Sequence, residues 1–80
     1  MTNVEIEYCV PCGHRNHAVD VQEAILEKFG QEIDSVALVT GDGGVFKIRV
    51  DGETVFDKAD DEFDVDTIID RVSEEHAAAA

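Results

Sequence analysis

Residues 4–17 read VEIEYCVPCGHRNH, and this stretch decides the fold. Its first five residues alternate apolar and acidic side chains, which is the period of a strand with one buried face. Two cysteines separated by two residues follow at Cys9 and Cys12. The apolar residues after them recur at helical spacing: Ala18, Val21, Ile25 and Phe29. We therefore predict a first strand, a turn over residues 9–13 and a helix over residues 14–29.

Three further strands and a second helix follow from similar patterns. The strands are residues 35–40 (SVALVT), 45–50 (VFKIRV) and 53–58 (ETVFDK), and Asp51-Gly52 is a typical hairpin turn. Gly30 is a helix stop signal, and Asp64 is the expected N-cap of the second helix. The order β-α-β-β-β-α predicts an α/β fold, a four-stranded mixed sheet with two helices on one face. Alternation in the first and third strands predicts that the other face of the sheet is exposed to solvent.

The length and charge of the chain restrict what it can bind. Eighty residues suffice for one domain, which we place at residues 1–76, with a disordered tail at 77–80. The chain has 19 acidic and 6 basic side chains and a formal charge of −13. It lacks the Lys and Arg clusters that phosphate groups require, so we expect no nucleic-acid and no membrane partner. The oligomeric state stays open.

The acidic residues are spread over nearly every segment, which we interpret as a halophilic adaptation to a salt-rich cytoplasm, where ions screen self-repulsion. No secretory leader and no apolar run of transmembrane length is recognisable. We therefore expect a cytoplasmic protein. In that reducing compartment a cysteine pair is more often catalytic or metal-binding than structural.

The surroundings of the cysteine pair favour reactive thiols. Cysteines at this spacing lie within bonding reach, and a helix N-terminus stabilises a thiolate. Residues 8–19 contain no Asp or Glu, although acids occur nearly everywhere else. We interpret Cys9 and Cys12 as the catalytic pair, supported by five neighbours: Pro11, Gly13, His14, Arg15 and His17. Pro11 is expected in the first helical turn, where it sets the separation of the sulfurs.

Two alternatives compete with a reactive pair. A purely structural disulfide would close a very short loop and add little stability. A zinc or copper site could combine the cysteines with His14 and His17, but tetrahedral closure from one short segment is strained and no second CxxC exists. We therefore expect no metal and no cofactor.

The glycine-rich segment 41–44 (GDGG) is predicted to be a tight turn between strands. It lacks the Lys and the following helix of a phosphate loop. In a functional alternative, the backbone of this turn lies close to the two cysteines. The candidate docking loop then consists of Gly41, Gly43, Gly44 and Val45. On the wet sheet face, Lys47 and Arg49 are expected to pair with acids of neighbouring strands: Glu5, Glu7 or Glu53.

A strand ending VEIEYCxxC, then a helix, then GxGGVFKIRVDG, resembles the selenoprotein W-related family (SelT/SelW/SelH, or Rdx) from Val4 to about Val72. The resemblance implies a thioredoxin-like fold and a thiol-based redox role, with glutathione or protein thiols as suggested partners. Cys12 matches the position that holds selenocysteine in some members, which would make Cys12 the attacking group. The thioredoxin pattern points to the first cysteine of the pair, Cys9, instead. We favour Cys9 because we expect it to be the more exposed of the two.

The chain also departs from related patterns. Its only proline is Pro11, so it has no counterpart of the cis-proline loop of thioredoxin, and docking must use other backbone such as residues 41–45. In the basic stretch that often precedes the last helix of the family, only Lys58 and Phe63 match.

We therefore predict a thiol-disulfide redox protein that exchanges disulfides with protein or low-molecular-weight thiols and supports cell redox homeostasis. Two alternatives remain. One is copper or zinc transfer through Cys9 and Cys12, and the other is a redox-gated protein-binding module.

Overall fold

In the computed structural model, which describes residues 2–59 and 62–79, the strands and helices follow in the predicted order. The elements are β1 (Asn3–Cys9), α1 (Arg15–Phe29), a short 3-10 turn (Gly30–Glu32), β2 (Ser35–Gly41), β3 (Phe46–Val50), β4 (Glu53–Asp57) and α2 (Val65–Ala79). The helix α2 therefore includes Ala79. Ala80 lies outside the described residues, and the tail at 77–80 stays a prediction.

The four strands form one mixed sheet in the order β2-β1-β3-β4. β1 runs parallel to β2 and antiparallel to β3, and β3 runs antiparallel to β4. Ile6 lies opposite both Leu38 and Ile48, and Ile48 lies opposite Phe56. This apolar row crosses the whole sheet and fixes its register, because a slip of one residue would turn it to solvent.

The core lies between one face of the sheet and both helices, as predicted. α1 buries four residues, Ala18, Val21, Ile25 and Phe29, and α2 buries Ile68 and Val72. Val4, Ile6 and Tyr8 are buried beneath them. Burying a side chain of this size contributes about 1.5–3 kcal/mol. These buried apolar side chains therefore hold β1 in the centre of the fold.

Both helix signals read from the sequence are confirmed. Gly30 has φ +55° and its N–H donates to the carbonyl of Leu26 at the end of α1. At the start of α2, Asp64 Oδ1 accepts from the N–H groups of Asp66 (3.0 Å) and Thr67 (3.4 Å). These contacts satisfy backbone groups that a helix end otherwise leaves unpaired.

On the solvent-exposed face of the sheet, the predicted ion pairs are confirmed for Arg49 and wrong for Lys47. Arg49 lies 3.7 Å from Glu5 and 3.1 Å from Glu7, as expected. Lys47 instead lies 4.0 Å from Asp57, which is opposite it on β4, although Glu7 is opposite it on β1. Among the described residues, no helix is long and apolar enough to cross a membrane.

Candidate functional site

The first cysteine ends the central strand, and backbone hydrogen bonds tie the chain there on both sides. The N–H of Cys9 donates to the carbonyl of Val45 at 2.8 Å. The next N–H, that of Val10, donates to the carbonyl of Gly41 at 3.1 Å. Gly41 ends β2 and Val45 precedes β3, so both neighbours of β1 hold the start of the CxxC segment in place.

The segment between the cysteines and α1 is a separate hydrogen-bonded turn. Gly13 N–H donates to the Val10 carbonyl (3.1 Å), and His14 N–H donates to the Cys9 carbonyl (3.3 Å). The helix begins only at Arg15. The prediction that Pro11 occupies the first helical turn is therefore wrong, because these turn hydrogen bonds delay the helix past it.

Cys9 and Cys12 are joined by a disulfide, with their Cα atoms 5.3 Å apart, a usual span for a disulfide. The two ends of this bond differ in accessibility. Cys9 has 0% exposure, whereas Cys12 is exposed. The expectation that Cys9 is the more accessible cysteine is therefore wrong. Cys9 is the last residue of a strand with neighbours on both sides, and Cys12 lies in the turn.

The candidate docking loop does approach the pair, through Gly41 and Val45. Gly41 has no room for a side chain, since a Cβ there would lie 2.8 Å from Val45 Cγ1 and 3.0 Å from Glu7 Oε2. Gly43 and Gly44 adopt positive φ angles of 69° and 82° and are exposed. The Gly41 and Val45 carbonyls already bind the CxxC segment, and the docking role of the loop stays a prediction.

The two histidines near the pair pack against an aromatic cluster. His17 stacks on Phe63 with ring centroids 4.4 Å apart, and His14 meets the edge of Phe46 at 6.2 Å. The pKa of His14 is lowered from 6.5, first by desolvation and then by the positive charges of Lys58 and His17. The neutral imidazole, which can accept a proton, is therefore favoured at the residue that opens α1.

Arg15 borders a cleft that the CxxC segment and the start of α1 line together. The cleft has a volume of about 280 Å³ and is lined by Val10, Gly13, Arg15 and Asn16. Its entrance carries an exposed apolar side chain, since Val10 is 50% exposed. α1 has no acidic residue in its first turn. The cleft therefore joins an apolar contact within the CxxC segment to a cation at the start of α1.

Within residues 2–59 and 62–79, no group of three or more His, Cys, Asp or Glu side chains is arranged to hold a metal ion. One contributor to the site lacked a signal in the sequence, and that is the charge of Lys58 acting on His14. Lys58 reaches this region because its N–H donates to the carbonyl of Phe46 (2.9 Å).

The strand order and the CxxC disulfide at the end of the central strand define a thioredoxin-like domain of the selenoprotein W-like type. The model of the Rdx family matches residues 3–74. The chain therefore belongs to the Rdx family, as the resemblance predicted.

Relatives of known structure cover nearly all of the chain. A Bordetella parapertussis protein superposes with a TM-score of 0.88 at 32% identity, covering 92% of this chain and 96% of that one. A selenoprotein W-related protein from Vibrio cholerae also gives 0.88, at 25% identity, covering 94% and 96%.

Two mammalian relatives share part of the sequence. Migration and invasion enhancer 1 is 35% identical over 57 residues in Mus musculus and 36% identical over 56 residues in Bos taurus. These matches cover 70% and 69% of this chain but 47% and 46% of the mammalian proteins. The chain thus spans about half the length of these relatives.

Proposed function

We propose that the protein is a thiol-disulfide redox protein that exchanges disulfides with protein thiols or low-molecular-weight thiols through Cys9 and Cys12. The observation that supports this most directly is the asymmetric disulfide. One sulfur belongs to an exposed residue in a turn, and the other belongs to a buried residue at the end of the central strand. An incoming group can reach only the first without disturbing the sheet.

The exposure of the cysteines supports a particular order of the steps. In the reduced protein, the Cys12 thiolate attacks a substrate disulfide, one substrate thiolate leaves, and a mixed disulfide forms on Cys12. The Cys9 thiolate then attacks the Cys12 sulfur. The second substrate thiolate leaves, and the Cys9–Cys12 bond forms. Two electrons pass to the substrate, and reduced thiols drive the same steps backwards to regenerate the dithiol.

The nature of the substrate is supported by the surroundings of Cys12. The CxxC turn contributes Val10 and Gly13 to a small cleft that Arg15 also lines, and a short thiol or an exposed cysteine of a protein would suit this space. Exchange of this kind requires a thiol pool, as the cytoplasm provides. The metal-transfer and redox-gated alternatives stay untested.

Trapping experiments test the proposal. Cys9→Ser keeps the attacking sulfur and removes the resolving one, so a mixed disulfide with a small disulfide such as hydroxyethyl disulfide should accumulate on Cys12. Cys12→Ser should form no comparable adduct and should lose turnover. Intact mass and a coupled thiol assay measure both. The double variant Cys9→Ser with Cys12→Ser is the control, and unchanged turnover in either single variant would refute the proposal.

A further inference from the structure

The two edges of the sheet are protected differently. β4 forms one edge and carries acidic residues at both ends, Glu53 and Asp57. β2 forms the other, and its seven residues, SVALVTG, include no charged side chain and no proline. Charges and prolines are the usual means by which natural edge strands avoid pairing with other chains. β2 itself lacks them in a chain where 31% of residues are charged, and its nearest acids, Asp34 and Asp42, lie just outside its two ends.

The backbone of β2 offers free hydrogen-bonding groups on its outer side. The Gly41 carbonyl turns toward β1, where it accepts from Val10, whereas the Val36 carbonyl accepts from Gln22 Nε2 of α1 at 2.8 Å. Since successive residues of a strand direct these groups to opposite sides, Val36, Leu38 and Thr40 face away from β1. Gln22 occupies the first of them, which leaves Leu38 and Thr40 to pair with another strand.

An apolar flank of α1 borders this edge. Val19 and Leu26 lie three residues before and four residues after Gln22, so the three side chains share one side of the helix. Gln22 reaches the β2 edge, and that side of α1 therefore faces it. Val19 is 39% exposed and Leu26 is 45% exposed. A strand added to β2 would cover both.

We propose that β2 binds an extended segment of another protein as a fifth strand, with an uncharged centre and Lys or Arg at each end. Asp34 and Asp42 are exposed and flank β2 at its two ends. Cations at the ends of an incoming strand would pair with them. Main-chain pairing at Leu38 and Thr40 then supplies the affinity, and side chains packed beside Val19 and Leu26 supply selectivity.

Charge argues against a second copy of this chain as the occupant. Two β2 strands pairing antiparallel about Leu38 would place Asp34 of each copy opposite Asp42 of the other. Each copy also carries a formal charge of −13. Like charges directly opposite each other are destabilising, so a partner of opposite charge is preferred.

The test uses a nine-residue blocked peptide of alternating Val and Thr with Lys at both ends, added to the full-length protein at low salt. We expect the amides of Leu38 and Thr40 to shift and to exchange with solvent several-fold more slowly, while those of β4 stay unchanged. A peptide of the same centre with Glu at both ends should bind at least tenfold more weakly. The absence of protection at Leu38 and Thr40, or equal binding of both peptides, would overturn the proposal.

Charge reversal provides a variant that leaves the core intact. Asp34→Lys with Asp42→Lys should reverse the preference, so that the Glu-ended peptide binds better. Glu53→Lys with Glu74→Lys changes the net charge equally, away from β2, and should keep the original preference. Protection that rises with protein concentration alone would identify a second copy as the occupant and overturn the proposal. Cys9→Ser with Cys12→Ser should bind the peptide normally, which separates this result from the redox proposal.

Discussion

The exposure of the two cysteines follows from the backbone rather than from their spacing. Cys9 still belongs to β1, where its N–H is bound by Val45, and its side chain has 0% exposure. Cys12 lies three residues further on, in the hydrogen-bonded turn that precedes α1. Alternation in β1 predicts the burial of Tyr8, but not that Cys9 is buried as well.

This difference predicts unequal reactivity in the reduced protein. Iodoacetamide should modify Cys12 about tenfold faster than Cys9 or more, because a thiol must be accessible to react. Peptide mapping by mass spectrometry after short exposures measures the two rates, and the single variants Cys9→Ser and Cys12→Ser assign them. Faster modification of Cys9 in the folded protein would contradict the assignment of Cys12 as the attacking residue.

His14 should make stability depend on pH. Desolvation and the charges of Lys58 and His17 lower its pKa in the folded state, so folding disfavours its protonation. The stabilisation is complete above the unfolded value of about 6.5 and is lost as the pH falls through the lower folded value. His14→Asn should reduce the change in urea midpoint between pH 7.5 and pH 5.5, whereas His76→Gln should leave this contribution in place.

A side chain at Gly41 should destabilise the fold. A Cβ there would meet Val45 Cγ1 and Glu7 Oε2 at 2.8 and 3.0 Å, and relieving such contacts typically costs about 1–3 kcal/mol. Gly41→Ala should therefore lower the free energy of unfolding by about that amount and loosen the anchor of Val10. Thr40→Ala, at the exposed neighbour in β2, is the control and should change stability by less than about 0.5 kcal/mol. Urea denaturation of both variants distinguishes a local clash from a general weakness of β2.

At the scale of elements, the start of α2 depends on one side chain. Asp64 Oδ1 accepts from two N–H groups of the first helical turn, and replacing such a cap by Ala typically costs about 1 kcal/mol. Asp64→Ala should lower stability by this amount in urea denaturation. Asp70→Ala, at an exposed position within α2, should have a clearly smaller effect.

The sequence predicted the strands and helices better than the turns and the contacts between strands. Alternation gave β1 and β3, and Gly30 and Asp64 marked helix ends correctly, because these signals act within a few residues. The start of α1 was placed one residue early and Pro11 was placed inside the helix, because the pattern does not reveal that Cys9 and Val10 carbonyls bind the turn. Lys47 lies opposite Glu7 on β1 and Asp57 on β4, and local sequence does not decide between these two acids.

For the candidate site, the sequence predicted that the two cysteines lie within bonding reach, but not which of them is accessible. The CxxC spacing was sufficient to expect bonded sulfurs. The burial of Cys9 depends on the position of β1 between β2 and β3, and its N–H is bound by Val45, 36 residues further along the chain. Such contacts arise only when distant segments pack together.

At the scale of the whole molecule, charge is the dominant feature. Few cations offset a formal charge of −13, and one of them, Arg49, already lies between Glu5 and Glu7. The folded chain brings these acids closer together than the unfolded chain does. Self-repulsion therefore opposes folding when few ions are present.

Stability should rise with salt. The screening length falls from about 30 Å at 0.01 M to about 3 Å at 1 M, so the thermal midpoint should increase strongly over this range of KCl. Calorimetry at several KCl concentrations measures it, and Lys substitutions at the exposed acids Glu53 and Glu74 should flatten the dependence. Equal midpoints at all concentrations would refute the halophilic interpretation.

The anchoring of Cys9 has a consequence for how long covalent adducts persist. The sheet holds Cys9 with its Cα 5.3 Å from that of Cys12. For attack on any adduct at Cys12, the Cys9 thiolate therefore has a high effective molarity. Resolution is then unimolecular and outpaces a second collision from solution. Under the proposed exchange, small-thiol conjugates of the native protein should therefore be short-lived, and a protein partner would remain after resolution only through non-covalent contacts elsewhere on the surface.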